Sequence, residues 1–214
     1  MLRVSLALCL LAAAPAGRGN PHPATLVGTY DGGQMEMAAG ITLKANGRFE
    51  YGLSYGALDE EAAGRWTADA RQVLLTSDPV KAPRFSLVGQ KTAVPGMLRV
   101  TLAGPSGIDQ QMFDLHILFK NGSEDERQLA EDATLVHFEP DNPPVRIALS
   151  LDIYELAGDP IAIDPAKGYA FDFRFEPNDI GKVDFRSTPL VRSGPDLLLN
   201  RYGRSIRFRK VTKR

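Results

Sequence analysis

Apolar and polar residues alternate with a period of two along most of the chain. Between Leu43 and Trp66, for example, Phe49, Tyr51 and Leu53 fall on one face of an extended segment. Such alternation is typical of β-strands that bury one side. No segment shows the 3.6-residue period of a substantial helix. The pattern therefore predicts an all-β protein.

Turn signals separate the predicted strands. Asn46-Gly47 follows a run that contains Ile41, and Asn121-Gly122 ends a later run. An Asn-Gly pair accepts two left-handed residues, as the tight type I′ turn of a hairpin requires. Because turn signals recur about every 8–12 residues, we expect an antiparallel meander of about five strands between Thr25 and Asp78.

The composition changes at Pro79. The stretch from Asp78 to Met97 contains three prolines and two glycines, which indicates a connection between two units. A second alternating series follows, with about seven strands. We therefore expect a β-meander or barrel over residues 25–90 and an Ig-like or transthyretin-like β-sandwich over residues 96–214. An alternative is that the final hairpin, residues 196–211, closes the first unit, so that the middle of the chain is an insertion.

The first sixteen residues predict the compartment. Arg3 precedes an apolar run from Val4 to Ala14, and Ala14-Pro15-Ala16 supplies the small residues that a signal peptidase recognises. We expect cleavage near Ala16, a periplasmic or secreted location, and no transmembrane segment in the mature chain, since the run is too short to span a bilayer. The single cysteine, Cys9, lies within this run. Lipid attachment at Cys9 is the alternative, although Leu8 stands where such a signal has a small residue.

The first unit also resembles a known family. A Gly-x-Tyr start at Gly28, a strand that ends at the Asn46-Gly47 turn, a Gly-x-Trp strand that ends at Trp66 and a Val/Leu strand follow in order up to Asp78. This order resembles the lipocalin-like small barrels of bacterial envelope proteins, including the N-terminal domain of NlpE-like lipoproteins. The cysteines of that family have no counterpart here. The resemblance therefore implies a lipocalin-like fold and an envelope location, without the family's metal chemistry.

The charge balance excludes one class of partner. The chain has 25 basic and 26 acidic residues, a net charge of −1, so nothing indicates binding to nucleic acid. The C-terminal stretch 201–214 is locally basic. Its alternation places Ile206 and Phe208 on one face and Arg207 and Arg209 on the other, which predicts a solvated strand face. Contact with an anionic surface is the alternative.

Two pairs of residues are candidate metal ligands. Met35 and Met37 are spaced for one face of a strand and could hold a soft ion such as Cu(I), but methionine more often fills a core. His116 and His137 lie in runs that would be adjacent strands, and with Asp114 or Glu139 they would form part of a zinc site. No third or fourth ligand can be assigned. We therefore predict no metal and no cofactor.

The search for catalytic motifs finds no Gly-x-Ser-x-Gly elbow, no phosphate-binding glycine loop and no dinucleotide fingerprint. The acidic runs at residues 59–61 and 123–132 lack the spacing of a calcium loop. We therefore predict a protein that is not an enzyme.

Tyr51, Tyr55 and Trp66 are the candidate ligand-binding residues, which could line the mouth of the first unit. Tyr51 shares the inward face with Phe49, however, and this alternation favours packing in the core. The prediction for the whole chain is an exported binding or interaction module of the bacterial envelope, with an unidentified protein, peptide or glycan as partner. The alternative is a carrier that holds an apolar or metal ligand in the barrel.

Overall fold

The structure is a computed structural model that describes residues 23–105 and 108–212. It confirms the all-β prediction. Two 3₁₀ turns, Gln110–Met112 and Asp152–Tyr154, are the helical elements of the described residues. The predicted signal peptide, with Cys9, lies outside them. The strands are β1 (Gly28–Asp31), β2 (Met37–Leu43), β3 (Arg48–Tyr55), β4 (Leu58–Ala68), β5 (Gln72–Ser77), β6 (Arg84–Lys91), β7 (Met97–Ala103), β8 (Asp114–Phe119), β9 (Glu124–Gln128), β10 (Thr134–His137), β11 (Pro144–Leu151), β12 (Leu156–Ala157), β13 (Ile161–Ala162), β14 (Ala170–Glu176), β15 (Thr188–Ser193), β16 (Asp196–Arg201) and β17 (Arg204–Lys210).

Eight of these strands close into an antiparallel barrel in the order β1-β17-β16-β15-β5-β4-β3-β2. The first five strands form the meander that the alternation predicts. Alone they would leave β1 and β5 as open edges, and an open edge exposes unpaired backbone groups. The last three strands cover both edges, because β17 pairs with β1 and β15 pairs with β5. Residues 188–210 therefore lie in the barrel, and the nine strands β6–β14 are inserted between its two parts.

The inserted strands form two sheets with a common core. One sheet has the order β10-β7-β14-β6, and the other has the order β12-β11-β8-β9, with β13 also paired to β11. Buried residues of both sheets, such as Leu98 and Ile117, belong to one hydrophobic cluster. The boundary differs from residues 25–90, because residues 84–91 pair with β14 in the inserted unit. Backbone pairing with such a distant strand leaves no local trace in the sequence.

The two Asn-Gly turns differ from the type I′ turn that we predicted. Asn46 has no positive φ, and only Gly47 is left-handed, with φ 77°. The Gly47 N–H donates to the Lys44 carbonyl at 3.1 Å. This is a type I turn followed by a left-handed glycine, the usual three-residue hairpin loop. Gly122 has φ 85° and makes the equivalent bond to Phe119. In this loop only one residue must be left-handed, and in both Asn-Gly pairs the glycine takes that conformation.

The glycine of the Gly-x-Trp strand is Gly64, and it lies where β4 and β5 approach each other closely. A Cβ atom at this position would lie 2.1 Å from the Thr76 carbonyl oxygen on β5 and 2.8 Å from the Phe49 ring. Two residues later, Trp66 is buried in the barrel and its Nε1 donates to the Lys44 carbonyl at 3.0 Å. The glycine therefore permits the close approach of β4 and β5 that seats the indole ring.

A segment between β14 and β15, residues 181–185, completes the barrel wall, and we call it the wall segment. Its backbone pairs with Glu61 on β4 through bonds of 2.8 Å to Gly181 and Val183. The hydroxyl of Ser77, the last residue of β5, donates to the Val183 carbonyl at 2.7 Å and accepts from the Phe185 N–H at 3.0 Å. Val183 and Phe185 are thereby placed in the barrel core.

The barrel and the inserted unit share two side chains. Ile153 and Tyr154, in the second 3₁₀ turn, pack against both hydrophobic clusters. A Cβ atom at Gly181 of the wall segment would lie 3.9 Å from the Tyr154 ring. The wall segment and this 3₁₀ turn therefore contribute to the contact between the two parts of the molecule.

Candidate functional site

The three predicted ligand-binding residues do not form one mouth. Tyr51 and Trp66 are buried among the core residues of the barrel, whereas Tyr55 is 46% exposed. Trp66 lies against Lys44 and Gly47, just before β3 begins, and Tyr55 is the last residue of β3. Tyr55 and Trp66 are therefore at opposite ends of this strand.

Aromatic rings occupy the interior of the barrel where a carried ligand would lie. The Phe185 ring of the wall segment is 5.1 Å from the Tyr51 ring and 6.0 Å from the Phe49 ring, measured between centroids. Tyr51 is also 6.5 Å from the Phe208 ring of the last strand. The protein's own wall segment thus contributes an aromatic ring to the packing of the interior.

A buried ion pair joins this aromatic packing. The Glu60 side chain is 6% exposed and pairs with Arg201, which donates to it through Nε at 3.1 Å and through Nη2. The Tyr51 hydroxyl donates to Glu60 at 3.2 Å, and the Tyr202 hydroxyl donates to it as well. Burial, and then the Glu60 carboxylate, raise the pKa of both tyrosines. Burial lowers the pKa of Arg201, but the hydrogen bond and attraction to Glu60 outweigh it and raise the pKa overall.

These contacts give the barrel cluster a structural role. Glu60 accepts from one guanidinium and two hydroxyl groups, so its oxygens are satisfied within the protein. The raised pKa values keep both tyrosines neutral and Arg201 charged at physiological pH. Neither the two tyrosines nor Arg201 is therefore poised to exchange a proton with a substrate.

The candidate metal ligands are separated. Glu36 has a left-handed backbone, with φ 62°, so Met35 is exposed while Met37 packs on the barrel core. His116 lies on β8 and His137 on β10, in different sheets, which corrects the expectation of adjacent strands. The reason is that β10 pairs with β7 rather than with β8. Among residues 23–105 and 108–212, no group of three His, Cys, Asp or Glu is placed to hold a metal ion.

Acidic and basic residues are unevenly distributed along the chain, although its net charge is only −1. Between Ile108 and Asp164 the chain carries 13 acidic and three basic residues. Between Pro165 and Lys210 it carries five acidic and ten basic residues. The first stretch contains the whole sheet of β8, β9 and β11–β13, and the second contains the last three barrel strands. A count of charge over windows of the sequence would have found this asymmetry.

The sheet of β8, β9 and β11–β13 has an outer side with His116 at its centre. We call this outer side the acidic face. On β8 the residues alternate, with Leu115 and Ile117 buried and His116 facing outward. Register places Glu126 of β9 and Ala148 of β11 on either side of His116. The other residues of the face are Asp114, Leu118, Glu124, Gln128, Arg146 and Ser150.

A chain of polar contacts crosses three strands of the acidic face. The Ser150 hydroxyl donates to the Asp152 carboxylate at 2.7 Å and is 2.9 Å from His116 Nε2. His116 Nδ1 is 3.4 Å from a carboxylate oxygen of Glu126. Burial raises the pKa of Asp114, and the charges of Asp152 and Glu126 raise it further. The face therefore concentrates negative potential around one imidazole.

A cavity of about 330 Å³ opens beside this chain. Glu124 and Glu126 of the edge strand line it on one side and Arg146 lines it on the other. Leu118, Ala148 and Pro160 are among its apolar lining residues. An acidic side with apolar neighbours suits a group that is positively charged at its tip and apolar along its stem.

The same geometry argues against nucleophilic catalysis at this face. A general base must accept the proton of the nucleophile, but the Ser150 hydroxyl gives its proton to Asp152 rather than to His116. Ser150 is also 4% exposed. Sequence reasoning considered His116 and Asp114 as zinc ligands. It missed Glu126, Ser150 and Asp152, because cross-strand register brings them together.

The described residues contain no helix long and apolar enough to cross a membrane. Comparison of the chain with protein-family models, with curated proteins and with solved structures finds no match.

Proposed function

We propose that this protein is a non-catalytic, exported interaction module of the bacterial envelope. The observation that carries the proposal is the packed interior of the barrel. A carrier needs a cavity that its ligand can enter. Here Tyr51, Phe185 and Phe208 pack together inside the barrel, and the backbone of the wall segment is fastened to β4 and β5. This packing favours binding at the surface over the alternative function, carriage of a small apolar or metal ligand.

The acidic face supports a positively charged partner. Opposite potentials on two surfaces steer their encounter and determine their orientation. We therefore propose a basic segment of an envelope protein or peptide as partner, with a Lys or Arg side chain in the cavity beside Glu124 and Glu126. The apolar lining would contact the methylene stem of that side chain, as is usual for long basic residues.

The same proposal includes the finer features of fold and location. The barrel is lipocalin-like, and the two inserted sheets form an Ig-like or transthyretin-like β-sandwich. A signal peptide cleaved near Ala16 directs the chain to the periplasm or beyond. The order of motifs from Gly28 to Asp78 supports the lipocalin-like barrel, and the shared core of the two sheets supports the sandwich. The composition of the first sixteen residues supports the signal peptide.

Native mass spectrometry of mature protein, purified gently from the periplasm of its source, tests the module against the carrier. We expect the bare mass of the chain, alone or with a second protein. A retained small molecule or metal ion would instead support the carrier and identify its ligand.

Binding of a defined probe tests the acidic face. We expect a lysine-rich decapeptide to bind more weakly as salt rises, because screening weakens exposed charge pairs. A glutamate-rich decapeptide should not bind. The double variant Glu124→Gln, Glu126→Gln should lose most of the affinity, and Glu50→Gln on the barrel should keep it, since Glu50 is an exposed glutamate outside this face. Equal binding by both variants would refute the assignment of the face.

A further inference from the structure

The hydrogen-bond donors of the acidic face determine which imidazole nitrogen of His116 carries a proton. A serine hydroxyl has one proton to donate, and that of Ser150 goes to the Asp152 carboxylate, which accepts only. The contact of 2.9 Å between Ser150 Oγ and His116 Nε2 therefore requires the nitrogen to donate. The neutral imidazole of His116 must then carry its single proton on Nε2.

This tautomer leaves Nδ1 in an unfavourable position. A neutral imidazole protonated on Nε2 has a bare lone pair on Nδ1. Here that lone pair faces a Glu126 carboxylate oxygen at 3.4 Å, so two acceptors oppose each other. When Nδ1 takes a second proton from solvent, the contact between these two acceptors becomes an ion pair between His116 on β8 and Glu126 on β9. The geometry therefore suits the doubly protonated, positively charged ring.

The charged groups around His116 favour the same state. Glu126 faces it from β9, Asp114 lies two residues away on β8, and Asp152 is linked to it through Ser150 of β11. Arg146, also on β11, lines the same cavity. Three carboxylates and one guanidinium thus surround the imidazole, so the field at the ring is negative.

The strand that this contact would hold is β9. It pairs with β8 on one side only and forms one edge of its sheet. The residues of β9 are Glu-Asp-Glu-Arg-Gln, most of them exposed. A strand attached on one side with little buried apolar surface opens locally at low cost. One added or lost ion pair is therefore a substantial part of what keeps β9 docked.

We propose that protonation of His116 fastens β9 to β8 and lowers the negative charge of the acidic face, so that the face holds a basic partner near neutral pH and releases it on acidification. The release step rests on the proposed function, whereas the fastening of β9 does not. Histidine is the side chain that ordinarily changes charge between about pH 5 and pH 8, so these two pH values bracket the experiment.

Amide hydrogen exchange of residues 124–128, measured by NMR at about pH 5 and about pH 8 and corrected for intrinsic rates, tests the fastening. We expect about two- to fivefold greater protection at the lower pH, the change that one partly exposed ion pair produces. His116→Gln and Glu126→Gln should each abolish the difference. His137→Gln is the matched control, because His137 is exposed on a different sheet and should leave the difference intact.

Two results would overturn the fastening: equal protection at both pH values in the wild type, or a difference that persists in His116→Gln. Binding of the lysine-rich decapeptide at the same pH values tests the release. We expect weaker binding on acidification in the wild type and a smaller change in His116→Gln. If β9 responds but the peptide never binds, the proposed partner is wrong and the fastening stands. If the peptide binds and β9 does not respond, the fastening is wrong.

Discussion

Phe185 provides the sharpest test of how the barrel is built. Its side chain is 2% exposed and packs in the barrel core, although it belongs to none of the eight barrel strands. Replacement by alanine removes the ring and leaves a cavity between Tyr51 and Phe49. Such changes cost about 3–5 kcal/mol in well-packed cores. The edge-to-face contact with Tyr51, 5.1 Å between centroids, places the expectation in the upper half of that range.

This loss is large in proportion to the stability of a typical domain, about 5–15 kcal/mol. Urea unfolding measures it directly, since the chain has a single tryptophan, Trp66, buried in the same barrel core. With a slope of about 2 kcal/mol per molar urea, the midpoint of Phe185→Ala should fall by about 2–2.5 M. Val191→Ala, at an exposed position on β15, should change stability by less than about 0.5 kcal/mol.

A loss below about 1 kcal/mol for Phe185→Ala would refute the reasoning. It would mean that the ring does not fill the interior, and the argument against a carrier would lose its main support. The slope of the transition is informative as well. An unchanged slope indicates that the variant still unfolds from a compact barrel, as expected if the cavity is the only change.

Three further outcomes follow from single contacts. Arg201→Met removes the counter-charge of the buried Glu60, and we expect a loss of about 3–5 kcal/mol in urea unfolding. Gly64→Ala places a Cβ atom 2.1 Å from a carbonyl oxygen, so we expect a loss of about 4 kcal/mol or more. Gly52→Ala, whose Cβ would be 3.9 Å from its nearest neighbour, should cost far less in the same assay. A hydrogen bond from a lysine on the neighbouring strand lowers the pKa of Asp172 from its ordinary 3.8, so that carboxylate contributes stability above this pH and loses it as the pH falls further. Asp172→Asn should therefore show a shallower loss of stability on acidification below about pH 4, measured by thermal unfolding.

The sequence by itself determined the local structure of the first five strands. Period-two alternation places Phe49 and Tyr51 on the buried face of β3, and the structure buries both. The Gly-x-Trp pattern marks a real close approach at Gly64. Alternation along β8 also places His116 opposite the buried face. These features are local, because the direction of a strand side chain depends on its position in the pleat.

Only the tertiary structure decided which distant segments meet. The partners of β1 and β5 are strands near the C-terminus, and Phe185 comes from the wall segment, which is not one of the eight barrel strands. The surroundings of His116 arise in the same way, since Glu126 and Ser150 reach it through cross-strand register. The physical reason is that backbone hydrogen bonds are chemically alike along the chain. The choice of strand partner therefore depends on which closed arrangement buries the apolar faces together and leaves the fewest open edges.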